Sequence, residues 1–119
     1  MPRVKSGIIS HRRLKKVLKR AKGFYGGKHS LYRSANEALM RAGQYAFRDR
    51  RVRKREFRAL WIMRINTAVR SYGINYSQLI FGLNKANIQI DRKNMAELAV
   101  NDPAAFEQLA LTAKSQLSA

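Results

Sequence analysis

Apolar residues along this chain recur at helical spacing and hardly anywhere alternate as strand residues do. Leu14, Val17, Leu18 and Ala21 fall at i, i+3, i+4 and i+7, a narrow stripe on an otherwise basic cylinder. "HRRLKKVLKRAK" is therefore expected to form a first helix, with Ser10 as its N-cap. "GFYGG" (Gly23–Gly27) ends it, because glycine permits backbone angles that other residues avoid. A second, much longer helix is expected from Ser30 or Ser34, where "SANE" has capping-box spacing, to Tyr72 before Gly73. About forty residues at 1.5 Å each make a rod of roughly 60 Å.

The rod changes character along its length. Ala35, Ala38, Leu39, Ala42 and Ala46 give a modest stripe, positions 48–58 give almost none, and Leu60, Trp61, Ile62, Met63, Ile65, Ala68, Val69 and Tyr72 are dense enough for a core. Three shorter helices follow. The first is capped by Asn75 with Gln78 three residues on, and carries Leu79, Ile80 and Leu83. The second follows Asp91 through Met95, Leu98 and Ala99. The third is capped by Asp102, with Pro103 at its first position and Phe106, Leu109, Ala110 and Ala113 on one face. The pattern predicts an all-α fold: a long basic N-terminal helical extension over 1–59 and a small C-terminal helical globular domain over 60–119. A core drawn from about sixty residues is marginal in stability. The arm has too few apolar residues for a core of its own.

Charge sharpens this division. The 119 residues carry a net charge of +18. Residues 1–60 hold nineteen Lys and Arg against three acids, a net +16, whereas residues 61–119 reach only +2. At its densest the arm reads "RDRRVRKREFR" (Arg48–Arg58). At 100° per residue those cations point in nearly every direction. Cations so crowded repel one another in water, and a surrounding of phosphates relieves the repulsion while releasing condensed counterions. All-round charge further suggests nucleic acid on several sides of the helix. Arg predominates over positions 41–58, where its planar fork suits phosphates and stacks on bases. Phe24, Tyr25, Tyr32, Tyr45 and Phe47 are interleaved aromatics able to stack, although Tyr45 and Phe47 fit packing between helices equally well.

Other chemistries find little support. There is no Cys, which excludes disulfides and thiolate chemistry and fits a reducing, cytoplasmic setting. "LWIM", the most apolar short run, is far too short to span a bilayer. A membrane-lying helix over His11–Lys22 would have a narrow stripe and no aromatic anchor. "KGFYGGK" (Lys22–Lys28) lacks P-loop spacing, and it leaves the RNA-recognition-motif pattern at Tyr25, so it reads as a flexible basic elbow. His11 and His29 have no carboxylate nearby in sequence to orient them and suit phosphate or solvent contact. No acid pair and no metal-ligand spacing is present, so no enzyme, cofactor or metal is expected. Asp49 and Glu56 offset neighbouring cations, and Asp91 and Asp102 serve as caps. A DNA-compacting protein remains the rival that would use the same cations.

"RDRRVRKREFRALWIMRINTAVR" (Arg48–Arg70), with "PRVK", "KGFYGGKHSLYR", "GINYSQLIFGL", "IDRKNMAELA" and "NDPAAF", closely resembles the family of protein twenty of the bacterial large ribosomal subunit. The resemblance covers almost the whole chain. It departs at Phe47, where Tyr is usual, at Met63, and at Gly27-Lys28-His29 in a variable elbow. It implies a ribosomal protein that binds large-subunit ribosomal RNA directly, with the extension threaded between RNA segments and the helical domain on a junction of RNA helices. It further implies an early role in subunit assembly, neighbouring large-subunit proteins as partners, and in some bacteria repression of its own messenger RNA. No membrane and no small-molecule substrate are implied. Carried over by position, the arm contacts fall on Arg3, Lys5, Arg12, Arg13, Lys15, Lys16, Lys19, Arg20, Lys22, Lys28, Arg48, Arg50, Arg51, Arg53, Lys54, Arg55 and Arg58. In the globular domain they fall on Asn75, Ser77, Arg92 and Lys93. The last two lie at an expected helix start, where exposed amides also suit phosphate.

Overall fold

The computed structural model describes residue 3 and residues 5–118, without the side chain of Ser118. Pro2 and Val4 of the "PRVK" motif lie outside the described residues. Among the described residues the fold is all-α, with helices α1 (Gly7–Arg20), α2 (Tyr32–Arg70), α3 (Tyr76–Lys85), α4 (Arg92–Asn101) and α5 (Pro103–Ser118). One turn of 3-10 helix, Gly26–His29, stands between α1 and α2. The chain divides into two compact units, Met1–Arg51 and Val52–Ala119, and the division falls inside α2.

In the first unit, α1 starts earlier than Ser10. The Ser10 amide donates to the Ser6 carbonyl at 2.9 Å, so Ser10 is interior and Ser6 takes the cap position, without a side-chain cap bond. "GIIS" holds no proline, and its two isoleucines extend the helix at small cost in propensity. α2 begins at Tyr32, between the two serines expected to start it, and the Ala35 amide donates to Leu31 O at 2.8 Å. Ser34 is thus already helical and "SANE" caps nothing. Its Glu37 meets Arg33 one turn back at 3.6 Å, a surface pair contributing at most a few tenths of a kcal/mol.

The elbow is built rather than merely flexible. Gly23 and Gly26 take φ values of +89° and +60°, the left-handed region that favours glycine. His29 places Nδ1 2.9 Å from the Phe24 carbonyl oxygen across the turn, so this ring serves the elbow's own backbone. Among the described residues, Ala21 and Ala35 are the fully buried apolar residues of this unit. Two alanines are a very small core, in keeping with the arm's composition.

The second unit holds the core. Ile65, Val69, Ile74, Leu79, Leu83, Met95, Ala96, Phe106, Ala110 and Ala113 are buried together, with Trp61, Tyr72, Tyr76 and Leu109 packed around them. Met63, expected in this core, faces solvent at 59% exposure, because Ile65 and Val69 one turn apart define the inward stripe. α2 ends where Gly73, at φ +80°, donates to Arg70 O. Asn75 and Gln78 form the expected capping box, each side chain accepting the other's amide at 2.9 Å. Asp102 caps α5 through the Ala105 amide at 3.1 Å. Asp91 occupies the α4 cap position, yet its side chain accepts no amide. Two lysines serve as staples: Lys85 donates to Gln116 O at 2.9 Å and Lys114 to Tyr72 O at 3.2 Å. Both satisfy carbonyls near helix ends that the helices themselves leave open.

Candidate nucleic-acid interface

The first unit presents its cations to solvent. Arg3 and Lys5 precede α1, Arg12, Arg13, Lys15, Lys16, Lys19 and Arg20 lie on it, and all eight are exposed. Lys22 is exposed in the turn that follows, and Lys28 on the 3-10 turn. Lys28 shares a cleft with Tyr25, Ser34, Glu37 and Arg41, which brings a second cation, Arg41, to the elbow. Arg41 stands alone among uncharged neighbours in sequence, so only the fold marks it as a candidate contact. The elbow turn puts it opposite Lys28.

Along α2, Arg48, Arg50 and Arg51 of the first unit are exposed, as are Arg53, Lys54, Arg55 and Arg58 of the second. Tyr45 and Phe47 are exposed at 53% and 57%, which settles against their packing between helices. Each carries a guanidinium instead. Arg48 lies 5.1 Å from the Tyr45 ring centroid and Arg51 3.9 Å from that of Phe47. Arg51 is held further by donating to the Phe47 carbonyl at 3.2 Å. Such cation–π pairs present a flat, charged platform suited to a base above and a phosphate beside it.

Asp49 tempers this platform. Its Oδ1 accepts from Arg48 Nε at 2.6 Å. The hydrogen bond holds the carboxyl below the usual carboxylate range and pushes the guanidinium up, with their mutual attraction adding to both shifts. Arg48 is thus partly neutralised before any ligand arrives.

In the second unit the four expected contacts differ in availability. The Asn75 side chain is committed to its capping box, while Ser77 is exposed. Arg92 is half-buried, and its Nε donates to the Tyr76 hydroxyl at 2.8 Å. That bond brings the start of α4 to the start of α3, placing Arg92 at the helix start that carries Asn75 and Ser77. Lys93 lies in a cleft with Trp61, Arg64, Ala96, Glu97, Val100 and Asn101. Arg64 is therefore a further candidate contact that sequence reasoning passed over. Its only signal was a position three residues beyond Trp61 in an otherwise apolar run.

No helix among the described residues is long and apolar enough to cross a membrane, and none of their acids and histidines cluster as metal ligands.

Comparison with known proteins agrees across nearly the whole chain. Residues 3–109 match the profile of the family described as "Ribosomal protein L20". A large ribosomal subunit protein bL20 from Brevibacillus brevis is 56% identical over 119 residues, covering 100% of both chains. Its counterpart from Methylibium petroleiphilum is 60% identical over 118 residues, 99% of this chain and 100% of the relative. One from Coxiella burnetii is 58% identical over 117 residues, 98% of each.

Proposed function

Since the chain belongs to the ribosomal protein L20 family, whose members are structural proteins of the large ribosomal subunit, we propose that it binds large-subunit ribosomal RNA directly. It does so within the ribosome of the cytoplasm, beside neighbouring large-subunit proteins, and performs no catalysis. The extension over 1–59 supplies most of the charge, and the domain over 60–119 supplies the shape. Exposure of the arm's cations is the observation that carries this reading: every Lys and Arg in positions 48–58 faces solvent, and among the described residues of the first unit only Ala21 and Ala35 are fully buried apolar residues. A segment that buries so little has weak support of its own and gains it from surrounding phosphates.

The role in assembly follows from the same physics. Where RNA segments crowd together, their phosphates repel, and a helix charged on all sides lowers that cost. An RNA that copies the ribosomal site would be bound by the same surface, which is how the chain would repress its own messenger.

Crosslinking the full chain to large-subunit RNA and mapping the adducts tests the reading. Adducts are expected at Arg12–Arg20 and Arg48–Arg58 and at the Arg92–Lys93 helix start. An arm left free of adducts and open to protease in the assembled subunit would overturn it. Circular dichroism adds a second check: helicity should rise when RNA is added. Competition with duplex DNA separates DNA compaction, since only that rival predicts preference for the duplex.

A further inference from the structure

We propose that Tyr76 is a positioning residue for RNA binding, acting through Arg92. This inference rests on the RNA-binding reading above. Three elements of the second unit meet at this tyrosine. Its backbone amide donates to Asn66 Oδ1 of α2 at 3.2 Å, and its hydroxyl accepts from Arg92 Nε of α4 at 2.8 Å. Its ring packs against the core. The phenol therefore projects from a fixed backbone and a fixed ring.

The consequence for Arg92 is chemical as well as mechanical. A guanidinium has five N–H donors, and the one on Nε is spent on the phenol. The side edge, Nε with one Nη, is no longer available as a fork. Four donors on the two Nη atoms remain, so Arg92 meets a phosphate or a guanine edge end-on, from one direction. A free arginine would lose most of its rotamer freedom on binding, whereas this one has lost it already. The same bond fixes how the α4 start, with Arg92 and Lys93, lies against the α3 start, with Asn75 and Ser77. The tyrosine thus keeps the four candidate contacts of this unit in register.

The test uses the full chain and a large-subunit RNA fragment. Tyr76→Phe keeps the ring and removes only the hydroxyl. It should weaken binding about three- to tenfold and leave the salt dependence unchanged, because no phosphate contact is lost. The melting temperature should move by no more than about 2 °C. Arg92→Ala should weaken binding and also flatten the salt dependence by about 0.7–0.9 in slope. In that background Tyr76→Phe should change affinity less than about twofold. Arg92→Lys keeps the charge but loses the planar fork, so it should weaken binding while leaving the salt dependence unchanged.

Three results would overturn the proposal in distinguishable ways. If Arg92→Ala weakens binding and Tyr76→Phe does not, Arg92 acts without the tyrosine. If the two losses add in full, the hydroxyl meets RNA itself. If Arg92→Ala binds as the wild type does, Arg92 is no contact and Tyr76 positions nothing. A wild-type chain that fails to bind the RNA would instead defeat the functional reading beneath it.

Discussion

Gly82 of α3 lies directly against the backbone of Ala113 in α5. A Cβ built on Gly82 would stand 2.8 Å from Ala113 Cα and 2.9 Å from its carbonyl carbon, and closer still to the carbonyl oxygen. The obstacle is main chain, which cannot swing aside as a flexible side chain would. Both residues are buried, so the small-on-small crossing is what lets α3 and α5 close over the core.

Gly82→Ala should therefore destabilise the second unit by about 1–3 kcal/mol through overpacking. Gly43 supplies the opposite case, for a Cβ there meets nothing within 4 Å on an exposed stretch of α2. Gly43→Ala should stiffen the helix and stabilise it by about 0.5–1 kcal/mol. Urea unfolding followed by Trp61 fluorescence for the first variant, and by helical circular dichroism for the second, would check both signs. A Gly82→Ala chain as stable as the parent would mean that the crossing is loose.

The caps offer a contrast between residues that look alike in sequence. The Asn75 side chain accepts the Gln78 amide while the Asn75 amide donates to the Gln78 side chain, so Asn75→Ala should cost about 1 kcal/mol. Asp102→Ala should cost a similar amount, since it loses the bond to the Ala105 amide. Asp91 makes no such bond, and Asp91→Ala should lose only the dipole contribution, about 0.3–1 kcal/mol at low salt. Thermal melts at low and high salt would separate them. The Asp91→Ala effect should fade most as salt rises, the Asp102→Ala effect only in part, and the Asn75→Ala effect hardly at all.

How much of this was legible beforehand depends on the range of the interaction. The Asn75 and Asp102 caps, the Gly73 stop and the stripe of Leu79, Leu83, Phe106, Ala110 and Ala113 were readable, because each is a pattern within a few residues. The first helix takes its cap at Ser6, four residues before the Ser10 expected, and α2 starts at Tyr32, between Ser30 and Ser34, because a serine that can cap also tolerates a helix interior. Gly82 could not be read at all. A lone helical glycine looks like a weak spot until α5 is placed against it. Tyr76–Arg92 and the pairing of Lys93 with Arg64 in one cleft join residues far apart in sequence, and only the fold brings them together. The arm cations were legible as a set, since their exposure follows from charge alone.

Asp49 should act as a brake on the arm. Its hydrogen bond to Arg48 holds the carboxyl below its ordinary value. A carboxyl lowered in the folded chain supports the helix above the ordinary carboxylate range, and that support is lost as pH falls through the lowered value. Because the pair is exposed, the contribution of Asp49 to helicity should be small and flat from about pH 5 to 8, and be lost only in stronger acid. Asp49→Asn releases Arg48 and should tighten RNA binding about two- to threefold at low salt, with the salt slope steeper by about 0.7–0.9. Filter binding across a salt series would measure this, and weaker binding by Asp49→Asn would show that the carboxylate orients Arg48 usefully.

Charge count in the arm should be separable from fold. Arg50, Arg53 and Arg55 are exposed and have no hydrogen-bond or ion-pair partner among the described residues. Replacing all three with Gln keeps length and helix propensity while removing three positive charges. If each meets one phosphate, the slope of log K against log salt should fall in magnitude by about 2–3, with most of the affinity lost at low salt. Removing three mutually repelling charges should leave the free chain's melting temperature unchanged or slightly higher. These two readouts pull apart the competing accounts of the arm. A solvated charge run would give no change in slope, and a cation set that holds the fold together would lower the melting temperature. Only cations enclosed by phosphates give a large loss of slope with the fold intact.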